Sequence, residues 1–174
     1  MERGLIQVYT GEGKGKTTAA LGLALRAVGH KLKVLVIQFM KGKIDYGEIE
    51  SARKLSPYLK IKRIGQATFV SKSHPNPLDL QRAREGLSLA RKAIEDKGFD
   101  IVILDEINVA IDYNLIPLSD VLQLIDSKPE TVELILTGRN AKPEIFERAD
   151  LVTEMVERKH YYHKGVKARE GIEI

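Results

Sequence analysis

Apolar residues fall along this 174-residue chain in two rhythms. Short apolar runs bounded by turn residues alternate with stretches in which apolar positions step by three and four. The runs predict strands over Leu5–Tyr9, Lys33–Phe39, Leu59–Ile64, Phe99–Leu104, Val132–Leu136 and Leu151–Met155. The two richest, Val34-Leu35-Val36-Ile37 and Ile101-Val102-Ile103-Leu104, are continuous rather than alternating, as suits central strands buried on both faces. Between them, Thr17–Val28 sets Ala20, Leu21, Ala24, Leu25 and Val28 on one helical face. Asn76-Pro77 opens a longer helix with the stripe Leu80, Ala83, Leu87, Ala90 and Ile94, and Gly98 closes it. Pro117 starts a shorter one with Val121, Leu122 and Ile125 inward. Strands alternating with helices predict an α/β fold, a mainly parallel central sheet with helices on both faces, as a single domain over residues 1–174. Gly65–Asn76 is a long irregular stretch, the kind that serves as a binding loop or lid.

Composition narrows the setting. Hydrophobic residues at 43% and charged residues at 30% describe a globular chain, and no apolar run is long enough to span a bilayer. The start, Met1-Glu2-Arg3-Gly4, carries an acidic residue and no apolar core, so a signal peptide is not expected and a cytoplasmic location is. With no cysteine, disulfides and thiolate metal sites are excluded. The net charge of +4 is spread along the chain, and its aromatic residues form no stacking platform, so neither nucleic acid nor membrane is an expected partner. The positive balance reads as solvated surface plus an anion site.

That anion site is Tyr9-Thr10-Gly11-Glu12-Gly13-Lys14-Gly15-Lys16-Thr17-Thr18, between the first strand and the first helix. Glycines 11, 13 and 15 let the backbone curl so that successive N–H groups face an anion, and the helix adds its positive end. Lys16 is expected on the outer phosphates of ATP, and the Thr17 hydroxyl on Mg²⁺. This makes the fold P-loop NTPase-like, of the RecA-like kind. One departure is plain: where the usual spacing wants glycine, Thr10 stands, so the loop is one residue short and ordinary γ-phosphoryl transfer is not implied.

The strand Ile101–Leu104 runs into Asp105-Glu106, whose carboxylates are either ligands for Mg²⁺ (or Mn²⁺) or, at Asp105, a cap for the segment Ile107–Ile111. Two other polar strand ends, Gln38-Phe39-Met40-Lys41-Gly42 and Thr137-Gly138-Arg139-Asn140, belong to the same crevice in a doubly wound sheet. Lys41 and Arg139 are phosphate donors or solvated turn cations; Arg26, near the end of the first helix, suits the helix dipole or reaches substrate. His160 and His163, flanking Tyr161-Tyr162, lack a third ligand and read as a polar tail.

The run from Tyr9 to Gly22, then Arg26-Ala27-Val28-Gly29-His30, resembles the P-loop-type ATP:corrinoid adenosyltransferases. So do Gln38-Phe39 with Lys41-Gly42, Leu104-Asp105-Glu106, Thr137-Gly138-Arg139, Ala149–Met155, Lys159-His160 and Gly165–Glu173, so that the likeness runs through nearly the whole chain. It implies a homodimeric enzyme that binds MgATP in a reversed orientation. A reduced cobalt(I) corrinoid then attacks the ribose C5′ and triphosphate leaves, in adenosylcobalamin biosynthesis or salvage. A flavodoxin-type or other reductase is the implied partner. The site residues it carries over are Gly11, Glu12, Gly13, Lys14, Gly15, Lys16, Thr17, Thr18, Arg26, Gln38, Lys41 and Arg139, with Thr17, Asp105 and Glu106 at the metal. In place of the family's Gly-x-Gly-Phe-x-Trp stretch stands Gly65-Gln66-Ala67-Thr68-Phe69-Val70, the chain has no Trp, and Phe69 is the expected corrin contact. The sequence also begins almost at the first strand, without the extension that some relatives fold over the corrinoid. The competing readings are a P-loop kinase or ATPase with Arg139 as its arginine finger, and a non-catalytic nucleotide-binding partner.

Overall fold

The computed structural model of the chain describes residues 2–42, 46–66 and 70–174. Six strands form one sheet: β1 (Ile6–Thr10), β2 (Val34–Phe39), β3 (Leu59–Ile64), β4 (Ile101–Asp105), β5 (Glu133–Thr137) and β6 (Leu151–Glu154). Their order is β3-β2-β4-β5-β1-β6, and every pairing is parallel. Helices α1 (Lys16–Gly29), α2 (Gly47–Lys54), α3 (Pro77–Glu95), α4 (Ile107–Asp112), α5 (Leu118–Asp126) and α6 (Pro143–Phe146) supply the crossovers, and a 3₁₀ turn covers Tyr161–Lys164.

The continuous apolar runs split cleanly by alternation. Val34, Val36, Ile101, Ile103 and Ile135 face α1 and α2, while Leu35, Ile37, Phe39, Val102, Leu104, Leu134 and Leu136 face α3, α4, α5 and α6. Burying each such side chain contributes about 1.5–3 kcal/mol, so the sheet is held from both faces. No described helix is long and apolar enough to cross a membrane.

One expectation about helices is corrected, and one alternative is closed. The inner stripe of α1 is Ala20, Ala24 and Ala27, while Leu25 is 58% exposed. Small residues let the helix lie close to the sheet; Leu21 and Val28 pack at the margin of that face, and only Leu25 of the expected stripe is turned outward. Asp105 does not cap α4: it is the last residue of β4, and the cap position belongs to Glu106, held at φ 64° with no side-chain capping bond.

A parallel sheet brings all its carboxyl ends to one edge. Thr10, Asp105 and Thr137 end β1, β4 and β5 there. Because β5 lies between β1 and β4, the P-loop strand and the acidic strand are two strand spacings apart, about 10 Å.

Candidate active site

The loop Gly11–Gly15 joins β1 to α1 across that edge. Gly11 has φ +93° and Gly15 φ +121°, conformations that favour glycine. Gly13 is glycine for another reason: a Cβ there would lie 2.7 Å from the Met155 carbonyl oxygen, and one at Gly11 2.5 Å from it. Gly13 N donates to Met155 O at 2.7 Å, and Met155 N to Thr10 O at 2.8 Å. The Gly13 amide is thus spent on the chain leaving β6, and the anion nest is smaller than the glycine spacing suggests. What faces the crevice is the start of α1, which carries no side-chain cap. Its first N–H groups are therefore suited to an anion.

Lys16 folds back into the loop, its Nζ donating to the Gly11 and Gly13 carbonyls at 2.6 and 2.7 Å. Burial pushes its ammonium below the ordinary lysine value, with the charge of Glu106 opposing. Thr17 Oγ1 donates to Asp105 Oδ1 at 2.8 Å. Thr137 Oγ1 donates to the same oxygen at 2.7 Å, and itself accepts from Glu106 N at 3.0 Å. On the other side, Asp105 Oδ2 receives Lys41 Nζ at 2.8 Å and Gln38 Nε2 at 3.3 Å. Fully buried Asp105 is the hub of the site. Burial opposes the charge of Lys41, but Asp105 outweighs it and holds the ammonium above its ordinary value. Glu106 is pushed above the usual carboxylate range by burial first and then by the charge of Asp105.

Gln38 is buried, donates also to Glu48 Oε1 at 3.0 Å, and leaves Oε1 without a partner. Arg139 reaches Glu12, Nε to Oε2 at 3.2 Å and Nη2 to the carbonyl at 3.3 Å. Lys14 turns away from the loop to the C-terminal segment. Lys16, Thr17, Lys41, Glu106 and Arg139, with the C-terminal residues Gly171–Ile174, line a crevice of about 980 Å³, and Asp105, Gln38 and Thr137 lie buried behind that wall. Arg26 is not among them: it lies in the last turn of α1, about 15 Å along the helix from Lys16. Within this chain it stands away from the crevice, at a helix end where a cation suits the dipole. Phe69 lies outside the described residues. His163 Nε2 pairs with Glu157 Oε1 at 2.7 Å, and His160 Nδ1 accepts from Tyr162 N at 3.0 Å, as a polar tail would.

Thr137 was placed at the crevice from the sequence but given no part beside Asp105, and Tyr46, Tyr113 and the C-terminal wall were given no role. For Thr137 the signal was present, a polar residue closing an apolar run. For the others, nothing in local spacing reveals them.

Asp105, Glu106 and Thr17 offer hard oxygen donors of the kind Mg²⁺ takes when phosphates complete its shell. Among the described residues no group of three or more His, Cys, Asp or Glu surrounds one point. The donor set therefore fits a cation shared with a bound polyphosphate.

A family described as "ATP:corrinoid adenosyltransferase BtuR/CobO/CobP" matches the chain over residues 2–174. The corrinoid adenosyltransferase of Escherichia coli K12 is 40% identical over 172 residues, 99% of this chain and 86% of that protein. The corrinoid adenosyltransferase of a Sinorhizobium species is 38% identical over 175 residues, covering 99% and 81%. An uncharacterized Nostoc protein is 35% identical over 180 residues, 97% of this chain but 48% of its own length. Among solved structures, a KaiC-like protein of Pyrococcus horikoshii superposes with a TM-score of 0.58 at 16% identity, over 87% of this chain and 72% of that one. That likeness concerns the fold alone, and agrees with a RecA-like sheet.

Proposed function

Since the chain belongs to the ATP:corrinoid adenosyltransferase family and carries out ATP-dependent adenosylation of corrinoids, we propose that the crevice around Lys16 and Asp105 is where that reaction runs. The observation that carries this reading is the pairing of a short glycine loop, closed on Lys16, with the hub at Asp105 across β5. Triphosphate of ATP lies along the loop and the start of α1. Lys16 leaves its two carbonyls for the phosphates, and the triphosphate's charge restores the ammonium that burial disfavours. Arg139 exchanges Glu12 for the same anion.

The cobalt(I) of the reduced corrinoid gives its electron pair to C5′ of the ribose. The C5′–O bond breaks, and triphosphate departs with the bonding pair. No proton moves in this step, so the chain needs no general base for it, and Lys16, Lys41 and Arg139 supply positive charge on the crevice wall. The chain's work is alignment and neutralisation of the leaving group. Thr17, Asp105 and Glu106 would hold Mg²⁺ or Mn²⁺, which supplies further charge neutralisation on the phosphates. Lys41 and Gln38 keep Asp105 oriented for that role. The whole chain acts as one domain. Its setting is cytoplasmic, where ATP is supplied, and its working form is a homodimer served by a flavodoxin-type or other reductase. Phe69 and the rest of its loop are the proposed corrin contact.

The test is an anaerobic mixture of protein, MgATP and chemically reduced cob(I)alamin, followed by formation of the light-sensitive cobalt–carbon product. Triphosphate is the expected by-product. ADP in its place would mean γ-phosphoryl transfer, and intact ATP would sink the reading for that corrinoid.

A further inference from the structure

The P-loop lysine that does not serve the cradle has three contacts, all to one distant segment. Lys14 Nζ lies 2.6 Å from Glu173 Oε1, 2.8 Å from Tyr161 Oη and 3.5 Å from the Ile172 carbonyl. Glu173 is a gathering point in its own right. Its Oε2 accepts from Arg169 N at 2.9 Å and Nε at 3.2 Å, its Oε1 from Arg169 Nη2 at 3.2 Å, and Tyr161 Oη donates to it as well. The Arg169 guanidinium lies 4.9 Å from the centre of the Tyr161 ring, while Lys14 meets the same side chain at its hydroxyl. A tight turn closes the segment, with Glu173 N bonded to Arg169 O at 2.9 Å and Gly171 N to Ile174 O at 2.7 Å. The outcome is that Gly171–Ile174 stand as one wall of the nucleotide crevice. On that wall Ile172 is apolar yet 59% exposed, a surface that gains from being covered.

We propose that the C-terminal segment from Tyr161 to Ile174 is a strap closing one side of the ATP crevice, and that Glu173 is the positioning residue that latches it to Lys14 of the P-loop. This rests on the function proposed above. The Glu173 carboxylate is engaged by Lys14, Arg169 and Tyr161, and so serves the strap and not the polyphosphate. It keeps the strap in place so that the crevice excludes water and the cations inside it act on the polyphosphate at full strength. Three hydrogen-bonding partners, Arg169 foremost, hold the Glu173 carboxyl far below the usual carboxylate range, so the latch carries its charge throughout the working pH range.

The experiment compares wild type, Glu173→Ala, Lys14→Ala and the double variant, with Glu173→Asp as the conservative variant. Titration calorimetry reads ATP binding, and the corrinoid assay reads KM and kcat. Trypsin cleavage after Lys164, Lys167 and Arg169 is followed without nucleotide. In Glu173→Ala, Kd and KM for ATP are expected to rise about tenfold with kcat within about twofold, roughly the loss of one charge-assisted contact. The double variant should lose no more than the worse single one, Glu173→Asp should recover part of the affinity, and cleavage of the strap should quicken. Unchanged cleavage in Glu173→Ala overturns the latch whatever the nucleotide does. ATP affinity within twofold of wild type, tighter binding, or losses that simply add would overturn it as well. A wild-type chain unable to bind ATP would instead defeat the function proposed above, and this inference with it.

Discussion

At the scale of single residues the site separates binding from support. Lys16 is the one loop cation turned into the cradle, and its removal leaves the fold's hydrophobic layers untouched. Lys16→Ala is expected to lower kcat about 100- to 1,000-fold, the loss typical of one donor aimed at developing charge, with an unaltered circular dichroism spectrum. Asp105 is different, because four side chains converge on it while it has no access to water. Asp105→Asn turns a donor toward Lys41 and Gln38 and leaves a partly buried cation without its partner. That costs about 3 kcal/mol, so thermal denaturation should show a melting temperature lower by roughly 6–12 °C. Asp112 gives a pH test. Lys72 at 2.6 Å and Asn140 at 3.0 Å hydrogen-bond its carboxylate, and Lys142 stands at 3.5 Å. With Lys72 foremost, they hold it below its ordinary value of 3.8. A depressed carboxylate stabilises the fold above its unfolded pKa and loses that contribution as pH falls through the folded one. Asp112→Asn should therefore melt about 2 °C lower at pH 7, and the gap should close as pH drops below 3.8.

Elements decide where those residues meet. All six strands were legible from their apolar runs, and what the pattern misplaced is informative. The predicted strands stop at Tyr9, Leu104 and Leu136, one residue short of Thr10, Asp105 and Thr137. Each of these is polar because it stands at the ligand edge, so hydrophobicity alone cuts the strand just before the chemistry. Helix α2 went unread because Ala52 is its single buried residue, too little to make a stripe. The role of Thr137 was hidden because strand order, which inserts β5 between β1 and β4, leaves no trace in local periodicity. For α3 the reading held, since Ala83, Leu87, Ala90 and Ile94 are all buried. Its Gly86 sits against β2: an added Cβ would lie 2.7 Å from the fully buried Phe39 ring and 3.1 Å from Ile64. Gly86→Ala gains about 1 kcal/mol of helix propensity but overpacks the core by about 1–3 kcal/mol. A lower urea midpoint is the expected outcome.

Over the whole molecule, contacts between sequence-distant segments give the crevice its shape. Lys14 and Glu173 are separated by 159 positions, and no spacing rule could have joined them. The sheet ends in β6, whose Leu151 and Val152 are 43% and 44% exposed, an edge left apolar in the single chain. Light scattering after size exclusion is expected to give twice the 19.5 kDa chain mass; a single-chain mass would count against the proposed homodimer. Gly11 and Gly13 are pressed against the backbone at Met155, and that contact has a consequence for how far this scaffold can change. Grafting the missing sixth residue into the turn would find its space already filled by the outermost strand's exit. Converting such an enzyme into a phosphotransferase would first require moving a neighbouring piece of main chain. The two chemistries are separated by a buttress, and point insertion alone does not remove it.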